Sequence, residues 1–324
     1  MNTPTPLGEQ PSPTPQPSVP GPERLENQFA RFFAGQHGIR AGWRWLIFLG
    51  IFVACAAGLL VAAVAAHFFS LHGPQPSAQS FTASRVLMQE GILVIAMFLA
   101  AATMSKIERR PMGEYGLPAS AAFGRQFWTG AGWGMVAVST MMLLIAALRG
   151  FTFGSVALPA RAIVGYALIW AIAFLLTSLA EEFLFRGYSQ FTLASGMGFW
   201  PAAIFLSLLF GGLHLRNTGE SWAGGLAAGY IGLFFCFTLW RTGNIWFSVG
   251  LHAAWDYGET FVFGVPDSGF AAPGHLINSS LHGAPWLTGG KVGPEASAAC
   301  FVVISLMFLV FHLTYRARVQ TRVR

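Results

Sequence analysis

Runs of roughly 20 predominantly apolar residues recur along this chain, separated by short polar or Gly/Pro-containing connections, and each is long enough to cross a hydrocarbon core. About eight can be drawn, over residues 43–69, 86–105, 127–148, 162–194, 199–215, 223–240, 244–263 and 298–315. Trp43, Trp45, Trp128, Trp200, Trp222, Trp240 and Trp246 fall near their ends, where amphipathic rings favour the headgroup zone. The pattern predicts an all-α, polytopic membrane protein of about eight transmembrane helices. Residues 1–38 are rich in proline and contain no long apolar run, so they are expected to form a disordered cytosolic tail, with an integral-membrane helical domain over 39–324. The first apolar run is long enough to span, so no cleavable signal is expected. The connection 264–297, rich in Gly, Pro and Ser, reads as an irregular loop.

Composition agrees with this reading, because 54% hydrophobic and only 10% charged residues lie outside the range of ordinary soluble domains. The net charge of +6 follows from topology. With the N-terminus inside, Arg40, Arg44, Lys106, Arg109, Arg110, Arg125, Arg241 and the basic C-terminal residues gather on the cytosolic side. Both termini are therefore expected there. The basic residues form no single soluble patch, which argues against a nucleic-acid partner. Cys55, Cys236 and Cys300 lie within spans without a CxxC pair and read as packing residues.

Charged groups within a bilayer cost roughly 2.5–3.5 kcal/mol each on insertion scales, and they mark functional or paired positions. Here they concentrate late in the chain. Glu181, Glu182 and Arg186 lie in the fourth span, His214 ends the fifth, and His252, Asp256 and Glu259 lie in the seventh. Glu182 and Arg186, four residues apart, share a helix face and can pair, whereas Glu181 points about 100° away. A buried ion pair that only fixes helix packing accounts for Glu182 and Arg186 but leaves Glu181 unexplained. Counting back from a turn at Gly196–Pro201, Glu181 and His214 sit at similar depth, about 25 Å along antiparallel helices. His252 and Asp256 share a face about 14 and 20 Å from the turn at Arg241–Gly243. Phe210 by itself reads as core packing. Glu90 and Glu259 are expected to be paired, or exposed near a span end.

At these residues the sequence resembles the CAAX-protease and bacteriocin-processing (CPBP, or Abi) family of intramembrane endopeptidases. EExxxR is matched by Glu181, Glu182 and Arg186, FxxxH by Phe210 and His214, and HxxxN/D by His252 and Asp256. Arg110-Pro111 followed by Tyr115-Gly116-Leu117 is similar to the segment that precedes the family's core, and the likeness extends over about 106–263. The resemblance implies that Glu181, assisted by His214, activates a water that attacks a peptide carbonyl. It further implies that His252 stabilises the oxyanion, and that Glu182 and Arg186 hold the helix. Asp256 stands where the prenyl-protein branch has Asn. An ionised Asp can only accept hydrogen bonds, so its implied work is to orient His252 or to join a metal site. Glu181, His214 and His252 are competent zinc ligands, leaving both a zinc enzyme and a metal-free one open.

The substrate implied is a peptide or protein, lipid-modified or not, met at the membrane lipid of what is expected to be a bacterial plasma membrane. HExxH, GxGD and GxSG motifs are absent from the sequence, which separates the chain from other intramembrane proteases. Two further classes use the same polar cluster without proteolysis: a non-catalytic scaffold or bacteriocin self-immunity protein, and an ion-coupled transporter. No pair of interrupted helices supports the last.

Overall fold

The computed structural model describes residues 32–35, 38–66, 82–217 and 219–315, so most of the expected N-terminal tail and the basic C-terminal stretch lie outside the described residues. The chain divides into two compact units, Met1–Arg40 and Ala41–Arg324. In the first, Ala34–Gly35 (β1) pairs antiparallel with Gly38–Ile39 (β2).

The second unit is helical. Its elements are α1 (Ala41–Ala65), α2 (Ala83–Glu108), α3 (Arg125–Ala147), α4 (Ala160–Glu182), α5 (Gln190–Met197), α6 (Phe199–His214), α7 (Trp222–Thr242), α8 (Trp246–Tyr257), α9 (Pro285–Thr288) and α10 (Ala298–Thr314). The helix ends follow local chemistry. Thr82, Ser221 and Ser297 accept backbone N–H bonds as N-caps of α2, α7 and α10, Pro159 precedes α4, and α7 stops at Gly243 with φ 83°.

Among the described residues all eight apolar runs are helical, and five of the helices are long and apolar enough to cross a membrane. The fifth and eighth are shorter, at 16 and 17 residues, and the seventh is a 12-residue α-helix continued by a π-helical segment, Gly258–Phe263. The outward faces are apolar: Val61, Val136, Leu168, Leu208 and Leu226 are exposed, and α1 fully buries only Phe48. Helices that satisfy their own backbone while showing such faces belong in lipid, and the chain is an integral membrane protein.

The fourth run, expected over 162–194, extends from 160 to 197 but is not one straight helix. After α4 the chain passes through a π-helical segment, Phe183–Ser189, in which Gly187 leaves helical geometry (φ −84°, ψ −113°), before resuming as α5. A Cβ at Gly187 would press on the Phe183 ring and the Tyr115 carbonyl, so the kink is packed from outside as well as permitted by glycine. The segment's flanks are pinned to α1 and α2. Tyr188 Oη donates to Glu108, Arg44 pairs with Glu108 at 3.1 Å, and Trp45 Nε1 donates to Ser189 Oγ at 2.9 Å.

Loop 264–297 is less irregular than its composition suggests. Ser280–Leu281 (β4) pairs antiparallel with Phe151–Thr152 (β3), and the Ala157 N–H donates to the Leu276 carbonyl at 2.8 Å. The loop is thereby folded back over one end of the bundle.

Helix α3 meets α8 along a glycine seam. A Cβ at Gly130 or Gly134 would overlap the backbone of Phe247 or Leu251, and one at Gly250 would overlap the backbone of Phe127. Where lipid replaces water, such close approach supplies much of the attraction between helices. Gly132 on the same helix faces open space. Gly134→Ala is expected to destabilise the protein by about 1–3 kcal/mol through overpacking, whereas Gly132→Ala leaves stability unchanged or raises it by up to about 1 kcal/mol through helix propensity. Thermal unfolding of the two variants in detergent checks this, and equal midpoints would contradict the seam.

Candidate active site

The two helices that carry the adjacent carboxylates and the HxxxD pair each pass directly into π-helical geometry, after Glu182 and after Tyr257. Such segments re-aim side chains relative to a regular helix and recur at functional sites.

Glu182 and Arg186 form the expected pair. Arg186 Nη1 donates to Glu182 Oε1 at 3.1 Å, with neither side chain exposed. Three rings surround the guanidinium, Phe210 at 4.3 Å, Phe235 at 5.3 Å and Phe185 at 5.6 Å, an arrangement favourable for a desolvated cation. Gly232 makes room for it, since a Cβ there would overlap Arg186 Nη2. Phe210 is thus both core and cation cover.

Glu181 turns the other way. Its side chain keeps 32% of its surface exposed and lines a cavity of about 780 Å³ shared with His214, His252 and Asp256. Glu181 Oε2 lies 3.8 Å from His252 Nε2, which is also 3.4 Å from Asp256 Oδ2. His252 Nδ1 is 3.3 Å from Glu182 Oε1, and the Phe235 ring stacks on the imidazole at 5.5 Å. Both ring nitrogens therefore face carboxylate oxygens, and a ring donating from both is accommodated.

His214 enters the cavity from the end of α6. Its Nδ1 donates to the Phe210 carbonyl at 2.8 Å, which leaves the Nε2 of the neutral ring as an acceptor. Glu181 and His214 face the same cavity, without a hydrogen bond between them among the described residues.

The zinc arrangement fares differently. Zinc holds nitrogen and oxygen ligands at about 2.0–2.2 Å, so ligand atoms on one ion lie within about 4.4 Å of one another. Among the described residues, Glu181, His214 and His252 do not bring three donor atoms within 4.8 Å of one another. As placed, these three do not make a zinc site.

Several cavity residues were not anticipated. Glu90, expected to be paired or exposed, is buried and faces the cavity, close enough to Glu181 and His252 for direct electrostatic interaction. Glu220 joins from the connection before α7, where burial raises its carboxyl's pKa despite the Ser221 N–H donating to it at 2.8 Å. Asp267 and Glu295 come from the loop. Burial, followed by the neighbouring Asp256 and Glu295 carboxylates, holds the Asp267 carboxyl well above the usual range. Glu90 had a signal, as an acid within an apolar run, but the loop residues had none.

The segment similar to the family's pre-core region ties the two motif-bearing elements together. Tyr115 is buried against Tyr188, and the Arg110 guanidinium lies over the rings of Tyr115 and Phe191. The Gly116 carbonyl accepts from Ile245 N at 2.8 Å, and the Pro118 carbonyl accepts from Trp246 Nε1 at 3.0 Å, at the start of α8.

No curated protein and no solved structure matches the chain. Residues 162–258, which run from α4 through the end of α8 and contain all three motifs, match the family described as type II CAAX prenyl endopeptidase Rce1-like. The motifs gather around one cavity and the match spans all three of them, so over this segment the chain is similar to the CAAX protease family.

Proposed function

We propose that this protein is an intramembrane endopeptidase that hydrolyses a peptide bond of a membrane-associated peptide or protein, with Glu181 as the base. The observation that carries the reading is the division between adjacent glutamates. Glu182 is consumed by Arg186, whereas Glu181 faces the cavity beside two histidines.

In this mechanism Glu181, with the Nε2 acceptor of His214, takes a proton from a water as its oxygen bonds to the scissile carbonyl carbon. The carbonyl oxygen becomes an oxyanion and accepts a hydrogen bond from the cavity-facing Nε2–H of His252, which it shares with Asp256, while Glu182 holds the ring through Nδ1–H. The proton on Glu181 passes to the leaving nitrogen as the C–N bond breaks, giving an amine and a carboxylic acid that keeps the water's second proton. Asp256, as an acceptor, orients His252 rather than donating to the oxyanion. No step requires a metal held by these residues. Phe174, Ile231, Phe235 and Trp255 give the cavity an apolar wall, suited to an apolar or lipid-modified residue beside the scissile bond.

Cleavage of a CAAX-type peptide by the purified protein in liposomes tests the reading. Glu181→Gln, His214→Ala and His252→Ala are each expected to lower the rate about 10²-fold or more, and the zinc chelator phenanthroline leaves it unchanged. Cleavage that survives Glu181→Gln overturns the mechanism, zinc-restorable loss with chelator favours a metalloprotease, and partner binding without any proteolysis favours a scaffold.

The two glutamates should also separate in stability. Glu182→Ala strands a buried guanidinium and is expected to cost about 3–5 kcal/mol, while Glu181→Gln stays within about 0.5 kcal/mol of the parent. Denaturation of both variants in mixed micelles reads the difference directly.

A further inference from the structure

The π-helical segment after α8 carries a glutamate that the proteolytic mechanism does not use. Glu259 is fully buried, and among the described residues neither of its carboxylate oxygens has a hydrogen-bond partner. The Trp255 side chain is within interaction reach but outside hydrogen-bond geometry. Glu259 is aimed at two further acids. One oxygen each from Glu259, Asp267 and Glu295 lie within 4.8 Å of one another.

The loop acids are held in position. Thr260 Oγ1 donates to Asp267 Oδ2 at 3.2 Å, and Ser268 donates to Glu295 Oε2 from its backbone N at 2.9 Å and its Oγ at 2.8 Å. Gly269 N donates to the Val292 carbonyl at 2.7 Å, which draws the two arms of the loop together. Among the described residues no ion pair joins any of the three carboxylates to a cationic side chain. A buried carboxylate with neither donors nor counter-charge, converging on two others, is an unfavourable arrangement by itself.

We infer that Glu259, Asp267 and Glu295 form a site for a hard divalent cation of the calcium class, which clasps loop 264–297 to the end of α8. An all-oxygen donor set selects such ions over zinc or copper. Calcium–oxygen distances of about 2.3–2.6 Å let two ligands on one ion stand up to about 5 Å apart, so every separation within the observed bound is accommodated. Magnesium, at about 2.1 Å, accommodates only separations below about 4.2 Å. Backbone carbonyls and waters commonly complete such a shell. The ion would be structural rather than reactive. Glu259 lies three residues after Asp256, so the clasp secures the helix end from which Asp256 reaches His252.

The test uses the full-length protein in detergent, stripped with EGTA and titrated with calcium chloride by calorimetry, with thermal unfolding in parallel. Expected are one saturable calcium per chain and a midpoint that climbs with calcium and less with magnesium. Asp267→Asn and Glu295→Gln should weaken binding at least tenfold. Glu259→Gln should abolish the calcium-dependent rise while leaving the metal-free midpoint equal or higher, because it removes an uncompensated charge. Glu181→Gln should bind calcium as the parent does, which keeps this result separate from the proteolytic reading. A parent protein with no saturable binding and a calcium-independent midpoint overturns the proposal, as does binding that all three acid variants retain.

Discussion

The ion pair between Glu182 and Arg186 is the constraint around which the rest of the cavity is arranged. Two charges withdrawn entirely from solvent are tolerable only when they neutralise each other and when the remaining surface of the cation is covered by something polarisable. That requirement recruits Phe185, Phe210 and Phe235 from three different helical elements and demands a residue without a side chain at Gly232. Once those rings are in place, two histidines are positioned as well. Phe210 precedes His214 by one turn and carries the carbonyl that fixes its tautomer, and Phe235 is the plate on which His252 lies. Glu182 itself reaches His252 Nδ1. The pair thereby helps to set the geometry of the groups that face the cavity.

The sequence made part of this legible because hydrocarbon is an unforgiving solvent. Apolar runs of spanning length had few folds open to them, and acids or histidines within those runs stood out against a background that excludes them. Helical periodicity alone separates Glu181 from Glu182, and the i, i+4 spacing pairs Glu182 with Arg186. Three things escaped. The π-helical segments have no hydropathy signature, because they alter the direction of side chains and not their polarity. Glu90 was visible as an oddity, but whether it faced the cavity depended on how α2 rotates against its neighbours. Asp267 and Glu295 were invisible as cavity residues, since acids in a Gly- and Pro-rich connection look like ordinary loop polarity until the chain is folded back.

That folding back changes what the loop is. Pairing between β3 and β4 supplies only a few hydrogen bonds, but it holds the loop over the end of the bundle, where Asp267 and Glu295 form one wall of the cavity. The cavity consequently has two chemical faces. One consists of histidines and carboxylates set on helices, and the other of acids set on irregular backbone.

The connection from Arg110 to Pro118 has a mechanical meaning. It grips the ring of Phe191, just beyond the kinked element, and at the same time bonds to Ile245 and Trp246 at the root of α8. Translation of one of these elements past the other would break those bonds. The linker is therefore a pin that fixes the register of the two elements at this end of the bundle.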